Sequence, residues 1–306
     1  MTNPPVFLSV VLSTYNEEKY IAKSIQSILD QTYPYFEFII VNDGSTDNTL
    51  QIIESFEDPR IIIINKANSG LPDSLNRGIE IARYDWIARM DGDDIAEPDR
   101  FETQVKYIND RVGIIGGQFV SIDEEGNEIS GVLTAKPLKD STCRKNLLLG
   151  MSPLAHPTVL IRKSCLYKFG KYDINFKAAQ DIELWSRLAP DIEIINVPNR
   201  VLLYRKHASN ISNKHTELQR KLSFLGFLKY ALKIRRPITC DEYEKFEGFF
   251  SLNGLIGKND RLFKWSHCGC GTVRKVKLIM YYMWRYILLI KLRFCRNFIN
   301  KKFLYE

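Results

Sequence analysis

The sequence lacks the features that mark several large classes of protein. No G-x-G-x-x-G pattern follows the first apolar segment, which disfavours a dinucleotide-binding dehydrogenase. The six cysteines form no regular framework, and residues 1–5 carry none of the basic residues that begin a secretory leader. We therefore expect a protein of the reducing cytoplasm. The motif His267-Cys268-Gly269-Cys270 has no second cysteine pair, so a structural zinc site is disfavoured.

A long uninterrupted apolar run is also missing. The apolar segment Leu278–Ile290 contains Arg285 and is shorter than the about 20 residues that span a bilayer. Its basic flanks and its Trp and Tyr residues are typical of a helix lying in the interface of an anionic membrane. The alternative is a C-terminal helix packed on the rest of the protein, with its Lys and Arg side chains extending into solvent.

Charge is unevenly distributed along the 306 residues, whose net charge is +7. Residues 1–213 carry 23 Lys and Arg against 29 Asp and Glu, a net of −6, whereas residues 214–306 carry 20 against 7, a net of +13. This asymmetry indicates two regions with different tasks. We predict an α/β domain over 1–215 and a basic, aromatic, helical region over 216–306. No DNA- or RNA-binding motif accompanies the basic charge, so nucleic acid is not an expected partner.

Apolar segments that suit buried strands alternate with segments of helical periodicity over the first hundred residues. This alternation favours an α/β fold with a mainly parallel sheet covered by helices on both faces. The predicted strands are 8–13, 36–41, 60–65, 86–90, 113–122, 158–161, 192–197 and 201–204, and the predicted helices are 20–29, 48–57, 71–83 and 181–188.

Polar clusters follow three of these strands, at 14–18, 42–47 and 91–94. Ligands bind beyond the carboxyl ends of parallel strands, so we expect the clusters to meet. Three carboxylates in Asp91-Gly92-Asp93-Asp94 repel one another unless a cation such as Mg2+ relieves them. The alternative is an acidic, solvated turn. The loops that begin at Asp43 and Asp91 both depart from the EF-hand pattern, which disfavours a calcium site.

Two long segments carry a family resemblance: SVVLSTYNEEKYIAKSIQSILDQTYPYFEFIIVNDGSTDNT and NSGLPDSLNRGIEIARYDWIARMDGDD. They resemble the nucleotide-binding half of family 2 inverting glycosyltransferases of bacterial polysaccharide type, over roughly residues 6–210. The resemblance implies a GT-A fold and a metal-dependent enzyme that transfers a sugar from a nucleotide-sugar, expected to be a UDP-sugar. The implied acceptor is a saccharide or lipid-linked saccharide of a surface polysaccharide such as O-antigen or capsule.

The resemblance also implies residues of the donor site. Tyr15 would lie against the base, and Asp43 would accept a hydrogen bond from it or cap the following helix. Asp91 would contact ribose or groups around the ligands, and Asp94 would assist metal binding or orient the sugar. Leu75 stands where the family often has arginine, which puts a basic contact in doubt. The residues implied to bind the nucleotide-sugar are Ser13, Tyr15, Glu17, Asp43, Asn76, Asp91 and Asp94.

Metal binding and catalysis are implied for a further set. Asp93 would ligate Mn2+ or Mg2+, and His207 would complete the metal shell. Asp181 keeps the position of the general base, although Gln180 replaces the acid that often precedes it. The alternative for Asp181 is a carboxylate favoured by the helix dipole. Glu183 is the second candidate base.

Three residues are implied to lie near the acceptor or the diphosphate: His156, Trp185 and Arg205. His156 has a structural role as its alternative, and Trp185 a place in the core. Two other functions stay open. One is a sugar-phosphate nucleotidyltransferase, although the glycine-rich basic loop of those enzymes is absent from 14–18; the other is a non-catalytic protein that binds nucleotide-sugar or membrane. We expect a cytoplasmic protein peripheral on the inner face of the cell membrane.

Overall fold

The computed structural model of the protein describes residues 4–129, 133–148, 151–176, 178–207 and 222–223. The basic helical region predicted over 216–306, with its apolar segment Leu278–Ile290, lies outside the described residues except for 222–223. No helix in the described part of the chain is long and apolar enough to cross a membrane.

The first half of the sheet is parallel, as predicted. Its strands are β1 (Leu8–Thr14), β2 (Phe36–Asn42), β3 (Ile61–Asn65) and β4 (Trp86–Asp91), in the order β3-β2-β1-β4. Every residue of β1 and β2 is buried, which explains why these strands are apolar along most of their length. The helices between them are α1 (Ile21–Leu29), α2 (Thr49–Glu54) and α3 (Leu71–Ile81).

Helices cover both faces of this sheet. Val10 of β1 belongs to one buried cluster with Ile25 of α1, whereas Val11 belongs to a second cluster with Leu75 of α3. Each fully buried aliphatic side chain of this kind contributes about 1.5–3 kcal/mol relative to an exposed one. The two clusters therefore hold the strands, and with them the loops at the strand ends, in fixed positions.

The second half of the sheet mixes parallel and antiparallel pairs. Its elements are β5 (Ile95–Ala96), α4 (Arg100–Val105), β6 (Val112–Ile122), α5 (Asp140–Leu148), a 3-10 turn (His156–Thr158), β7 (Leu160–Arg162), α6 (Lys163–Phe169), α7 (Gln180–Leu188) and β8 (Glu193–Arg205). The eight strands lie in the order β3-β2-β1-β4-β7-β6-β8-β5. β7 runs antiparallel to β4 and β6, whereas β6 and β8 are parallel.

Two expectations for this half are wrong in detail. The segments 192–197 and 201–204 form one strand, β8, because its pairing with β6 continues past Pro198 through a shift in register. Proline interrupts the ladder of a strand, so the sequence indicated a break there. The strand expected at 158–161 begins only at Leu160. The helices α4, α5 and α6 were not predicted, because six to nine residues show too little periodicity.

The pairing of β5 with β8 brings residues 205–207 to the acidic cluster. Ile95 lies opposite Leu203 in antiparallel register. The residues that precede β5 therefore lie beside those that follow Leu203. Through this register Asp94 contacts Arg205, which is 111 residues away in sequence.

Candidate active site

Three polar loops meet at the carboxyl edge of the parallel strands. The Asn16 N–H donates to Ser45 Oγ at 3.0 Å, and the Thr46 N–H donates to Asn16 Oδ1 at 2.8 Å, which joins the loops after β1 and β2. Ser24 Oγ of α1 donates to the Asp91 carbonyl at 2.7 Å, which fixes the loop after β4. The predicted convergence of the three loops is confirmed.

Two glycines permit this close approach. A Cβ on Gly92 would lie 2.7 Å from Thr14 Oγ1, so only glycine lets the loop after β4 pass so near the end of β1. Gly44 has a φ of +71°, and a Cβ there would lie 2.7 Å from the backbone N of Asn68. The glycines of both Asp-Gly pairs are therefore required by the backbone geometry at the sheet edge.

Asp93 lies at the centre of the acidic cluster. Its carboxylate and the ligand atoms of Glu17 and His207 lie within 4.8 Å of one another, and the same holds for Asp93 with Asp91 and Asp94. Asp93 Oδ2 is 2.8 Å from His207 Nε2. Carboxylate oxygens suit Mg2+, and the addition of an imidazole nitrogen suits Mn2+. The residues present therefore fit a divalent cation.

Glu17 has a further role that the sequence did not indicate. Its carboxylate lies with the candidate metal ligands, and its place in the nucleotide pocket stays a prediction. Its backbone N–H donates to Thr49 Oγ1 at 2.8 Å, which anchors the loop after β1 on α2. Glu17 therefore joins Asp93 and His207 as a possible third ligand.

The carboxylates of the cluster oppose one another electrostatically. Burial raises the pKa of Asp91 to about 6; the Arg89 guanidinium opposes this shift, and Asp93 adds to it. Burial together with the charges of Asp93 and Asp91 raises the pKa of Asp94 well above its usual value. Arg89 is itself buried and forms a bidentate ion pair with Asp91. Further positive charge at this cluster would favour the ionised carboxylates.

Asp94 and Arg205 also hold the backbone around Asp93, a role that the resemblance did not imply. Asp94 is fully buried, and its Oδ1 accepts the backbone N–H of Arg205 at 2.8 Å. The buried Arg205 guanidinium donates to the carbonyl oxygens of Asp93 and Asp123 at 2.8 Å and of Glu124 at 2.9 Å. Asp94 and Arg205 therefore position the Asp93 loop, and their contacts with the sugar and the diphosphate stay predictions.

Asp43 organises the loop after β3. Its Oδ1 accepts the Ser69 N–H and its Oδ2 accepts the Gly70 N–H, both at 2.9 Å. The Lys66 ammonium forms an ion pair with the same carboxylate. The expected cap of α2 by Asp43 is wrong, because Asp47 Oδ1 accepts the first N–H of α2 at 3.0 Å. The contact of Asp43 with a base stays a prediction.

The other donor residues differ in accessibility. Tyr15 is 46% exposed, so its ring is available to stack on a base, which stays a prediction. Ser13 is buried near the end of β1. Asn76 uses both ends of its amide on the backbone of Tyr172, donating to its carbonyl at 2.9 Å and accepting its N–H at 3.0 Å. Asn76 therefore ties the loop after α6 to α3, and its contact with the donor stays a prediction.

Asp181 lies in the first turn of α7. The residue before the helix, Ala179, has a φ of +53°, a left-handed conformation that costs about 1–3 kcal/mol and recurs at functional sites. Burial raises the pKa of Asp181, while the Ile182 N–H and the charges of Arg89 and Lys136 oppose the shift. A carboxylate of raised pKa is a better proton acceptor near neutral pH. The helix dipole acts on the same carboxylate, so the two explanations of its position are compatible.

His156 and Trp185 pack beside one another near the start of α7. Their ring centroids are 5.9 Å apart, and His156 Nε2 lies 2.7 Å from the Tyr172 hydroxyl. Burial and the charge of Arg89 hold the pKa of His156 well below its usual value, so this imidazole is neutral. Trp185 is fully buried, so its expected role as an acceptor platform is wrong and its alternative, a core residue, is right. Contact of His156 with the acceptor stays a prediction.

Glu183, the second candidate base, is excluded by its surroundings. It is fully buried, and its two oxygens accept from the Arg187 guanidinium at 3.0 and 2.7 Å. Arg187 also donates to the carbonyl oxygens of Phe169 and Lys171, each at 2.7 Å. Removing one partner of a buried pair of this kind costs about 3–5 kcal/mol. Glu183 therefore holds α7 against the segment after α6.

Two basic residues near the site were not singled out in the sequence. Arg89 pairs with Asp91, and Lys136 lies close enough to Asp181 for the two charges to interact. The sequence did carry an indication for Arg89, because it is a charged residue inside the otherwise apolar strand β4. A buried charge needs a partner, which indicates pairing with an acid. Lys136 lies in a segment without periodicity, so nothing in the sequence marked it.

An acidic cluster lies beyond the parallel strands of the sheet, and a further carboxylate lies at the start of a nearby helix. This arrangement defines the class of glycosyltransferases with the GT-A fold. The model of Glycosyl transferase family 2 matches residues 9–170. The chain belongs to this family, and the resemblance found in the sequence is confirmed. Membership identifies the protein as a glycosyltransferase, which sets aside the nucleotidyltransferase and the non-catalytic binding protein.

Curated relatives support the same assignment. An uncharacterized glycosyltransferase of Haemophilus influenzae is 34% identical over 232 residues, which cover 72% of this chain and 71% of the relative. The O-antigen biosynthesis glycosyltransferase WbnJ of Escherichia coli is 30% identical over 237 residues, covering 74% of this chain and 87% of the relative.

Solved structures share the fold at low identity. The S. aureus protein TarS (residues 1–349), solved with UDP, superposes with a TM-score of 0.59 at 17% identity over 80% of this chain and 71% of TarS. The mannosyltransferase PcManGT of Pyrobaculum calidifontis, solved with GDP-Man and Mn2+, superposes with a TM-score of 0.56 at 17% identity. The match covers 80% of this chain and 68% of PcManGT. These similarities confirm the predicted GT-A fold.

Proposed function

We propose that this glycosyltransferase is metal-dependent and inverting, and that it moves a sugar from a UDP-sugar to a saccharide or lipid-linked saccharide during surface polysaccharide synthesis. The observation that carries the proposal is the grouping of Asp93, His207 and Glu17 within 4.8 Å at the carboxyl edge of the sheet. The start of α7 supplies a separate, half-buried carboxylate, Asp181, whose pKa is raised.

The named relatives support the finer parts of the proposal. TarS has been solved with UDP, and PcManGT with Mn2+. WbnJ is named for O-antigen biosynthesis. In this chain, the cluster of candidate ligands supports binding of a divalent cation together with a nucleotide-sugar.

The mechanism follows from the two carboxylate sites. Asp93, His207 and Glu17 would hold Mn2+ or Mg2+, which neutralises charge on the leaving diphosphate. The acceptor hydroxyl attacks the anomeric carbon of the sugar, and its proton passes to the Asp181 carboxylate. The new oxygen–carbon bond forms as the bond from the anomeric carbon to the diphosphate oxygen breaks, and UDP leaves with the electron pair. The single displacement inverts the anomeric configuration.

A donor panel tests the proposal. The full-length protein is incubated with UDP-N-acetylglucosamine, UDP-glucose, UDP-galactose or GDP-mannose, and release of the nucleoside diphosphate is measured without acceptor, where water replaces the hydroxyl. We expect release from a UDP-sugar, its loss in EDTA and its recovery with Mn2+ or Mg2+, because the clustered carboxylates need a counter-cation. Equal release in EDTA would contradict metal dependence, and release from GDP-mannose alone would contradict the UDP donor.

We also infer that the basic region after residue 213 binds the inner face of the cell membrane. The inference rests on the net charge of +13 over 214–306 and on the basic flanks of Leu278–Ile290. Each basic residue near an anionic surface contributes about 1 kcal/mol. We expect the full chain to sediment with vesicles containing anionic lipid but not with zwitterionic vesicles, and removal of 270–306 to reduce that binding. Unchanged binding by the shortened protein would contradict the inference.

A further inference from the structure

Residues 134–136, which precede α5, are fixed on the sheet. The Thr134 N–H donates to the Phe119 carbonyl at 2.7 Å. The Lys136 N–H donates to Gln118 Oε1 at 2.5 Å, and Gln118 Nε2 donates to the Val197 carbonyl of β8 at 2.8 Å. The backbone of Lys136 is therefore held by two neighbouring strands, and its side chain leaves from a defined position.

The Lys136 ammonium and the Asp181 carboxylate both contact Ser152. The ammonium donates to the Ser152 carbonyl at 3.4 Å, and Ser152 Oγ lies 3.4 Å from Asp181 Oδ2. Ser152 Oγ also donates to the Leu154 carbonyl at 2.9 Å, which holds this turn in place. Burial lowers the pKa of Lys136, and the charge of Asp181 opposes that shift. Lys136 and Asp181 thus share one half-buried environment.

Other ionisable groups also surround Asp181, and each is already engaged. Arg89 of β4 forms its ion pair with Asp91, and its charge also opposes the raised pKa of Asp181, more strongly than that of Lys136. The Tyr172 hydroxyl pairs with His156, burial raises the pKa of Tyr172, and the His156 imidazole is neutral. Among the described residues, no carboxylate lies within salt-bridge distance of the Lys136 ammonium. Lys136 is therefore the neighbouring cation whose charge is not already paired with another acid.

We propose that Lys136 is a positioning residue for the base: its ammonium keeps the Asp181 carboxylate ionised and, through Ser152, holds the turn that faces it. The proposal rests on the role of Asp181 given under the proposed function. Burial alone would leave Asp181 protonated to higher pH, and a protonated carboxyl cannot accept the proton of the acceptor hydroxyl. A cation that opposes this effect extends activity towards acidic pH.

The pH dependence of donor hydrolysis tests this role in the full-length protein. The UDP-sugar that releases most UDP in the donor panel is used, with water as acceptor. In Lys136→Met we expect the acidic limb of the rate profile to move to higher pH, because a charge that opposes protonation of Asp181 is removed. The rate at high pH should approach that of the unaltered protein. Lys136→Arg, which keeps the charge, should restore the original limb.

Lys139→Met is the matched control, because it removes the same charge from an exposed position three residues away. We expect its profile to equal that of the unaltered protein and UDP affinity to be the same in all variants. A loss in Lys136→Met that is equal at every pH would overturn the proposal and indicate a direct acceptor contact. An unshifted limb in an active variant would also overturn it. If the unaltered protein releases no UDP from any UDP-sugar, the proposed function fails instead.

Discussion

The Asp181→Asn variant is expected to lose about 100- to 10,000-fold in the rate of sugar transfer, the range that general-base catalysis contributes. The amide is close to isosteric with the carboxylate but cannot accept the proton of the acceptor hydroxyl. UDP binding should be unchanged, because the loops that converge after β1, β2 and β4 do not include α7. The measurements are turnover of the UDP-sugar and the affinity for UDP by calorimetry.

The wild-type pH profile gives a second measure of the same group. Burial raises the pKa of Asp181, so the carboxylate is protonated at higher pH than an exposed aspartate. The rate should therefore fall as the pH decreases through this raised pKa, and Asp181→Asn should lack that limb. Asp110→Asn is the control, since Asp110 is an exposed acid that precedes β6. Full activity in Asp181→Asn would contradict the assignment of the base.

The Asp93→Asn variant is expected to lose about 100- to 1000-fold in rate, since a metal ion contributes several kcal/mol of charge stabilisation at the leaving group. Asp93 is the residue shared by both groups of candidate ligands, so its loss weakens either arrangement. The amide keeps an oxygen but removes the negative charge, and its geometry beside His207 is nearly preserved.

Metal-dependent binding of UDP separates this effect from misfolding. In the unaltered protein Mn2+ should strengthen UDP binding, whereas in Asp93→Asn the affinities with and without Mn2+ should be the same. Glu125→Gln is the control, because it removes an exposed carboxylate from the neighbouring turn. If Mn2+ strengthened UDP binding equally in Asp93→Asn, Asp93 would not be a metal ligand.

The buried strands made much of the fold predictable. Segments such as Leu8–Ser13 and Phe36–Val41 are apolar because β1 and β2 are covered on both faces, and this pattern identifies a parallel sheet without any knowledge of contacts. The strand ends then placed Asp43 and Asp93 at one edge. The mixed second half was less predictable, because its short helices and the irregular pairing of β8 with β6 leave weak patterns.

The roles of individual side chains were harder to predict than their neighbourhood. The helical spacing of Trp185 and Glu183 fits a place in the site and a place in the core equally well. Only their burial in the structure shows that both face inward. Asp94 and Arg205 carry charges that suggest ligand contacts. The structure shows that both also bind backbone groups of the Asp93 loop and of β8, which the sequence did not indicate.

The sequence by itself determined the α/β class, the converging loops and the acidic cluster Asp91-Gly92-Asp93-Asp94, because these depend on local periodicity and on where strands end. The family resemblance added His207 as a partner of Asp93. Only the tertiary structure placed the Glu17 carboxylate among the candidate metal ligands, and Lys136 near Asp181. The approach of His207 to Asp93 depends on the register of β8 with β5 and β6, which single-strand patterns do not encode. The fold therefore follows from patterns along the chain, and the site from the way the strands pair.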